Sequence, residues 1–215
     1  MKTIKISFLL ALVTMVATSV QAQVSFGIRG GVNFSNINGK DASDDKLENK
    51  LIPGFNAGVN VEIPVADEFF VQPGLLFTTK GAKAKEGDGK TTLGYIELPI
   101  NFLYKPELGT GKLLLGVGPY VAYGVTGKVS DGDNSKSIKF KKEITVLEAA
   151  TNGGIYSKPF DAGANVLVGY EFSNKLSAQL NAGLGLVDIR TEVEGVSSKA
   201  NYKNTTFGVS IGYRF

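Results

Sequence analysis

The chain has 215 residues, 27 of them Gly and 13 Phe, with no Cys, His or Trp, and 23 Lys and Arg stand against 20 Asp and Glu. The missing cysteine excludes disulfides and thiolate metal sites, the missing histidine removes the usual base of hydrolytic and acyl-transfer enzymes, and the near-neutral balance gives a nucleic-acid partner no electrostatic support. The length suits one ordinary domain or one small barrel, and abundant Gly beside β-branched and aromatic residues points to an all-β chain.

Residues 1–22 read as a secretory signal peptide. Lys2 and Lys5 precede an apolar run from Ile6 to Val16, and Val20-Gln21-Ala22 forms a small-x-small cleavage site. The run is shorter than the ~20 apolar residues of a spanning helix. With no cysteine at that site a lipid-anchored lipoprotein is excluded. The expected organisation is a signal peptide at 1–22 and a single domain at 23–215.

Val24 to Ser35 alternates with period two, placing Val24, Phe26, Ile28, Val32 and Phe34 on one face and Arg29, Asn33 and Ser35 on the other. The polar stretch Asn36 to Pro53 reads as a loop. Phe55 to Ile63 is a second strand, with Asn56, Gly58, Asn60 and Glu62 on its polar face, and the short Pro64 to Glu68 makes the next strand its hairpin partner. That third strand, Phe69 to Thr79, turns Gln72, Gly74, Thr78 and the following Lys80 inward, while Phe70 and Leu76 break its polarity. After a loop from Gly81 to Thr91, strand four sets Ile96, Leu98, Ile100, Phe102 and Tyr104 against Tyr95, Glu97, Asn101 and Lys105.

Strand five, Lys112 to Thr126, alternates most clearly. The longest loop follows, Gly127 to about Pro159, in which Ser137 to Lys141 and Glu143 to Val146 alternate weakly and read as strand extensions beyond a membrane. Strand six is Phe160 to Phe172 and strand seven Lys175 to Val187, joined by the minimal turn Ser173-Asn174. After a polar loop, Asp188 to Asn204, strand eight runs from Thr205 to Phe215. The count is even, and short turns fall at one end with long loops at the other, as in bacterial outer-membrane barrels. The fold class is therefore all-β: an eight-stranded antiparallel up-and-down transmembrane β-barrel.

Size decides which face looks outward. An eight-stranded barrel has an interior just wide enough for side chains, so the bulky apolar register belongs outside and the Gly, Ser, Asn and Gln register inside. Aromatics on the apolar register gather near both strand ends around an aliphatic middle, as bilayer interfaces require. Closure satisfies the backbone groups that lipid cannot, and it pairs strand eight with strand one.

Gly27-Ile-Arg-Gly-Gly-Val-Asn-Phe34, Tyr95-Ile-Glu-Leu-Pro-Ile-Asn-Phe-Leu-Tyr104, Gly116-Val-Gly-Pro-Tyr120 and Gly208-Val-Ser-Ile-Gly-Tyr-Arg-Phe215 resemble the PorT-type outer-membrane β-barrel family over nearly all of the mature chain. Those motifs mark strands and carry no chemistry. The terminal aromatic also resembles the ending that barrel-assembly machinery recognises, which makes Tyr213 and Phe215 the expected assembly signal.

The inward register contains Arg29, Glu62, Lys80, Glu97, Lys105, Asp161, Glu171, Lys175 and Arg214. Confined charges demand partners, so a structural lumen network is expected, with Glu62, Glu97 or Glu171 reaching Arg29 and Arg214. An ion path is the rival reading, disfavoured by the narrow interior. Ser130 to Ser135 places oxygens at alternate positions, as calcium loops do, yet Asp, Gly and Asn are ordinary turn formers. Lys136, Lys139, Lys141 and Lys142 read as a solvated loop able to meet anionic lipopolysaccharide.

These readings lead to a non-enzymatic, monomeric outer-membrane barrel without cofactor, catalytic residue or metal site. Its termini would be periplasmic and its long loops extracellular. It would act in envelope structure or through its surface loops, with lipid, lipopolysaccharide and the assembly machinery as partners and no nucleic acid. The alternatives are a narrow pore or accessory barrel of a transport or secretion system, and a soluble lipocalin-like periplasmic binder.

Overall fold

The computed structural model describes residues 24–151 and 155–215, so the expected signal peptide lies outside the described residues. Among those described, eight strands build the wall: β1 Ser25–Lys40, β2 Ile52–Ala66, β3 Phe69–Ala84, β4 Lys90–Tyr104, β5 Gly111–Asp131, β6 Phe160–Glu171, β7 Leu176–Gly185 and β8 Asn201–Arg214. Each pairs antiparallel with the next. β8 returns to β1 in register from Gly27 opposite Arg214 to Lys40 opposite Asn201, which closes the barrel. Closure leaves the eight-stranded wall no open edge, the condition for standing in a medium without water.

The register fixes the two faces. Phe26, Val32, Val59, Val117, Leu180 and Ile211 are exposed on the outside, while Asn33, Asn60, Glu62, Gln72, Asn101 and Ser210 are buried inside. A lipocalin-like soluble barrel would have the opposite polarity. Outward rings meet at both ends of the aliphatic band, across strands and along them. At the loop end Phe34 stacks on Phe207 at 5.7 Å and Phe55 meets Phe77 at 5.6 Å; at the turn end Phe69 lies 4.7 Å from Tyr104, Tyr170 5.1 Å from Phe172, and Tyr213 5.3 Å from Phe215. Rings at both interfaces with aliphatic side chains between them are what a bilayer selects.

The strands run farther than the alternation indicates. β1 continues to Lys40 and β2 starts at Ile52, inside the stretch read as loop, and only residues 85–89 separate β3 from β4. Gly39 (φ 139°) and Gly81 (φ 150°) allow this, because a Cβ at either would lie within 2.0 Å of the carbonyl oxygen of Asn201 or Thr91 on the neighbouring strand. In these extensions the polarity of the alternation inverts. Ile37, Ala82, Leu93, Val129 and Tyr202 face inward, and Lys83, Lys90, Lys128 and Lys203 alternate with them on the same strands. Inverted polarity is what a barrel wall needs once it leaves lipid for water.

The long connection after β5 is built. Asn134–Phe140 folds back on β5 as a hairpin, with Gly132 at φ 56° in the turn, so the calcium-like stretch is an ordinary turn. Ile155–Ser157 joins that hairpin in parallel, a short helix α1 covers Val146–Thr151, and Glu143–Ile144 pairs with Glu192–Val193 of the last loop. One expected orientation is corrected. Lys175 is exposed at a left-handed turn position (φ 65°), not in the lumen. An irregularity opposite Gly94 and Tyr95 turns Thr126 outward.

Candidate functional site in the barrel lumen

The inward side chains form layers stacked along the barrel axis. Nearest the turns, Glu62 of β2 accepts from Lys105 Nζ at 2.8 Å and from Gln72 Nε2 at 3.0 Å, and it also pairs with the Arg214 guanidinium. Lys105 donates in turn to Glu171 at 2.9 Å, Arg214 to Asn60 Oδ1 at 2.7 Å, and the Lys105 ammonium lies 5.2 Å from the centre of the Phe70 ring. This layer ties β2, β3, β6 and β8 to Lys105, the residue just after β4. Leu103, Leu114 and Leu167 pack with Phe70 beside it as an apolar plug.

The second layer lies toward the loops. Lys80 Nζ sits 2.8 Å from Glu97 and 3.1 Å from Asp161, 4.1 Å from the centre of the Tyr120 ring. Asp161 also accepts from Asn204 Nδ2 at 2.9 Å and from the Tyr120 hydroxyl at 3.3 Å. Lys80 and Asp161 are 2% and 0% exposed, so neither charge has water to fall back on. β3, β4, β5, β6 and β8 each contribute one member.

Between the layers lies a polar chamber of about 50 Å³ that includes Arg29, Asn33, Asn56, Asn101, Asn165 and Asn181 in its lining. Arg29 Nη1 donates to Asn181 Oδ1 at 3.4 Å, and Asn181 donates to Ser210 Oγ at 2.9 Å. Arg29 Nε, Asn33 Oδ1, Thr78 Oγ1 and Asn101 Oδ1 have no protein partner, and the chamber is large enough for water to reach such groups.

The residues singled out from the sequence thus have definite places. Arg214 meets Glu62, Glu97 meets Lys80 and Glu171 meets Lys105, while Arg29 bonds to an asparagine and not to a carboxylate. Four cations, Arg29, Lys80, Lys105 and Arg214, balance four anions, Glu62, Glu97, Asp161 and Glu171. Tyr213 and Phe215 stand at the turn end, outside the lumen. In the loops, Lys141 pairs with Glu148, while Lys136, Lys139 and Lys142 are exposed.

Above the second layer the lumen changes character. Ile37, Leu93, Tyr95, Tyr120, Ile138 and Ile189 are buried together, and a chamber of about 350 Å³ opens among the first of these and the loops. Sequence reasoning missed this region, since Ile37 and Ile189 fell in stretches read as loops and Ile138 in a weak alternation read as an extension away from the barrel. The available signal was that Ile37, Leu93 and Tyr202 continue the inward register of their strands with apolar side chains.

Residues 20–190 match the family model described as outer membrane protein beta-barrel domain. Among solved structures, the outer membrane protein OprG from Pseudomonas aeruginosa is 14% identical with a TM-score of 0.52, the match covering 89% of this chain and 95% of that one. Neisserial surface protein A is 11% identical (TM-score 0.46; 90% and 100% covered), and Ail, the attachment invasion locus protein of Yersinia pestis, 14% identical (TM-score 0.43; 90% and 100% covered). The OprG likeness is one of fold. No curated protein matches the chain.

Proposed function

The chain belongs to the outer membrane protein β-barrel domain family, and from that premise we propose that it is a non-enzymatic barrel, closed to flux, that acts through its loops and mouth. The observation that carries this reading is the pair of ion-paired layers across the lumen, around Glu62 with Lys105 and around Lys80 with Asp161. An ion crossing the barrel would have to break both, and a buried pair that loses one partner costs about 3–5 kcal/mol. Planar-bilayer recordings of the purified protein test it directly. Silence is the expected result, and discrete channels would replace this reading with that of a narrow pore serving transport or secretion.

The short turns, with both Val24 and Phe215 at their end, support periplasmic termini and outward loops. Lipid is the partner of the apolar band, and exposed Lys136, Lys139 and Lys142 suit the phosphates of lipopolysaccharide. The four motif stretches of β1, β4, β5 and β8 support the finer PorT-type reading. Phe215 is exposed and edge-on to Tyr213, open to an assembly factor before insertion. Deletion of Tyr213 to Phe215 should lower outer-membrane levels severalfold on quantitative blots of membrane fractions; full levels of the truncated protein would remove that role.

A further inference from the structure

The loop-end chamber is built unlike the rest of the lumen. It measures about 350 Å³, against about 50 Å³ for the polar chamber below it. Its wall is mainly apolar, with Ile37, Leu93, Val129, Ile138, Ile189 and Tyr202 converging from strands and loops. Protein interiors pack to crystal-like density, so a space of this size bounded by aliphatic side chains is a feature of ligand sites more than of cores.

Two of the polar groups around it are already committed. The Asn49 amide donates to Ile37 O at 2.8 Å and the Ser157 hydroxyl to Ile189 O at 3.1 Å. Among the described lining residues the only charged one is Arg190. Its Nε donates to Ala200 O at 3.0 Å, and its paired carboxylate, Asp188, stands 3.9 Å away. Asp188 is itself occupied by the backbone N–H groups of Arg190 and Tyr202. The guanidinium therefore keeps donors and charge at the rim of an apolar space.

We propose that this chamber binds a small amphiphile, with an apolar body among Leu93, Ile138 and Ile189 and an anionic head on Arg190. The site lies above the ion-paired layers, so it stands whether or not the barrel conducts. An acyl chain of a membrane lipid and a free medium-chain acid share this chemistry.

The test uses the mature protein in lipid nanodiscs and 8-fluorooctanoate followed by fluorine NMR, with protein-free nanodiscs as the reference for partitioning. Saturable binding is expected only with protein. Ile138→Trp, which thrusts an indole into the space assigned to the apolar body, should weaken it severalfold. Arg190→Gln should weaken the acid roughly tenfold, the scale of a lost charge-assisted hydrogen bond, and leave 8-fluorooctanol unchanged. The heat-dependent gel shift reports that both variants fold. Binding no greater than in protein-free discs, or saturable binding indifferent to both substitutions, overturns the site. If the acid and the alcohol respond alike to Arg190→Gln, the anionic head is overturned. Mass spectrometry of the purified protein then separates the sources: a lipid released by octanoate supports the acyl chain, and its absence supports a free acid.

Discussion

Between the turns and the layer of Lys80, Glu97 and Asp161, the inward positions carry balanced charges and leave about 50 Å³; above that layer the same strands carry Ile37, Ala82, Leu93 and Val129 and leave about 350 Å³. The difference follows the medium outside the wall. Where lipid surrounds the barrel, the apolar register is spent on the outer face, and the polar register must satisfy itself in the lumen. Beyond the aromatic rings water surrounds the wall, and the inner face becomes apolar as in a soluble barrel. Charges specify every neighbour, because each must be paired. Aliphatic walls specify less and can leave space.

The comparison breaks most sharply at Lys80. Lys80→Met strands Glu97 and Asp161 in the interior and should cost about 3–5 kcal/mol, read as a lowered urea midpoint for unfolding from phospholipid vesicles. An unchanged midpoint would mean that the layer does not hold the barrel.

A pair of aliphatic truncations sharpens the contrast. Leu103→Ala removes a fully buried side chain from the tight turn-end plug and should cost about 3 kcal/mol. Ile138→Ala enlarges a chamber that already exists and should cost about 2 kcal/mol by the same assay, the low end for such a truncation. Equal costs would show that the two interiors pack alike.

The smallest effect belongs to the loops. Glu48 and Glu192 are held below the usual carboxylate range, first by hydrogen bonds from Lys85 and Lys158 and then by their charge. A carboxylate lowered in the folded state stabilises above its unfolded pKa, and that contribution is lost as pH falls through the folded value. Nitroxide labels at Ser43 and Ser198 should therefore gain mobility as pH drops below about 4, under the ordinary Glu value, with the gel-shifted barrel intact. Mobility that is flat with pH would assign no ordering role to these exposed pairs.

Much of the barrel was legible because lipid imposes a strict rule. Phe26, Val32, Val59 and Ile211 were readable as outward, and Glu62, Glu97 and Ser210 as inward, from period two alone. The rule lapses above the membrane, where Ile37 and Leu93 keep the phase of their strands and reverse its polarity. That reversal looked like loop. The hairpin at Asn134–Phe140 had only a faint alternation, because its outer side faces water.

By itself the sequence determined the eight strands, their order, the partner of β8 and, Lys175 excepted, the set of charges that had to share one interior, since alternation and closure constrain the arrangement. Only the tertiary structure decided which charge meets which. Lys80, Glu97, Asp161 and Asn204 come from four strands, and strand tilt, which no local pattern records, brings them to one level. It also decided that Arg29 faces an asparagine-lined chamber and that Ile138 and Ile189 come in from the loops to wall the mouth. Those contacts depend on how distant segments fold over a closed wall, and no spacing along the chain encodes them.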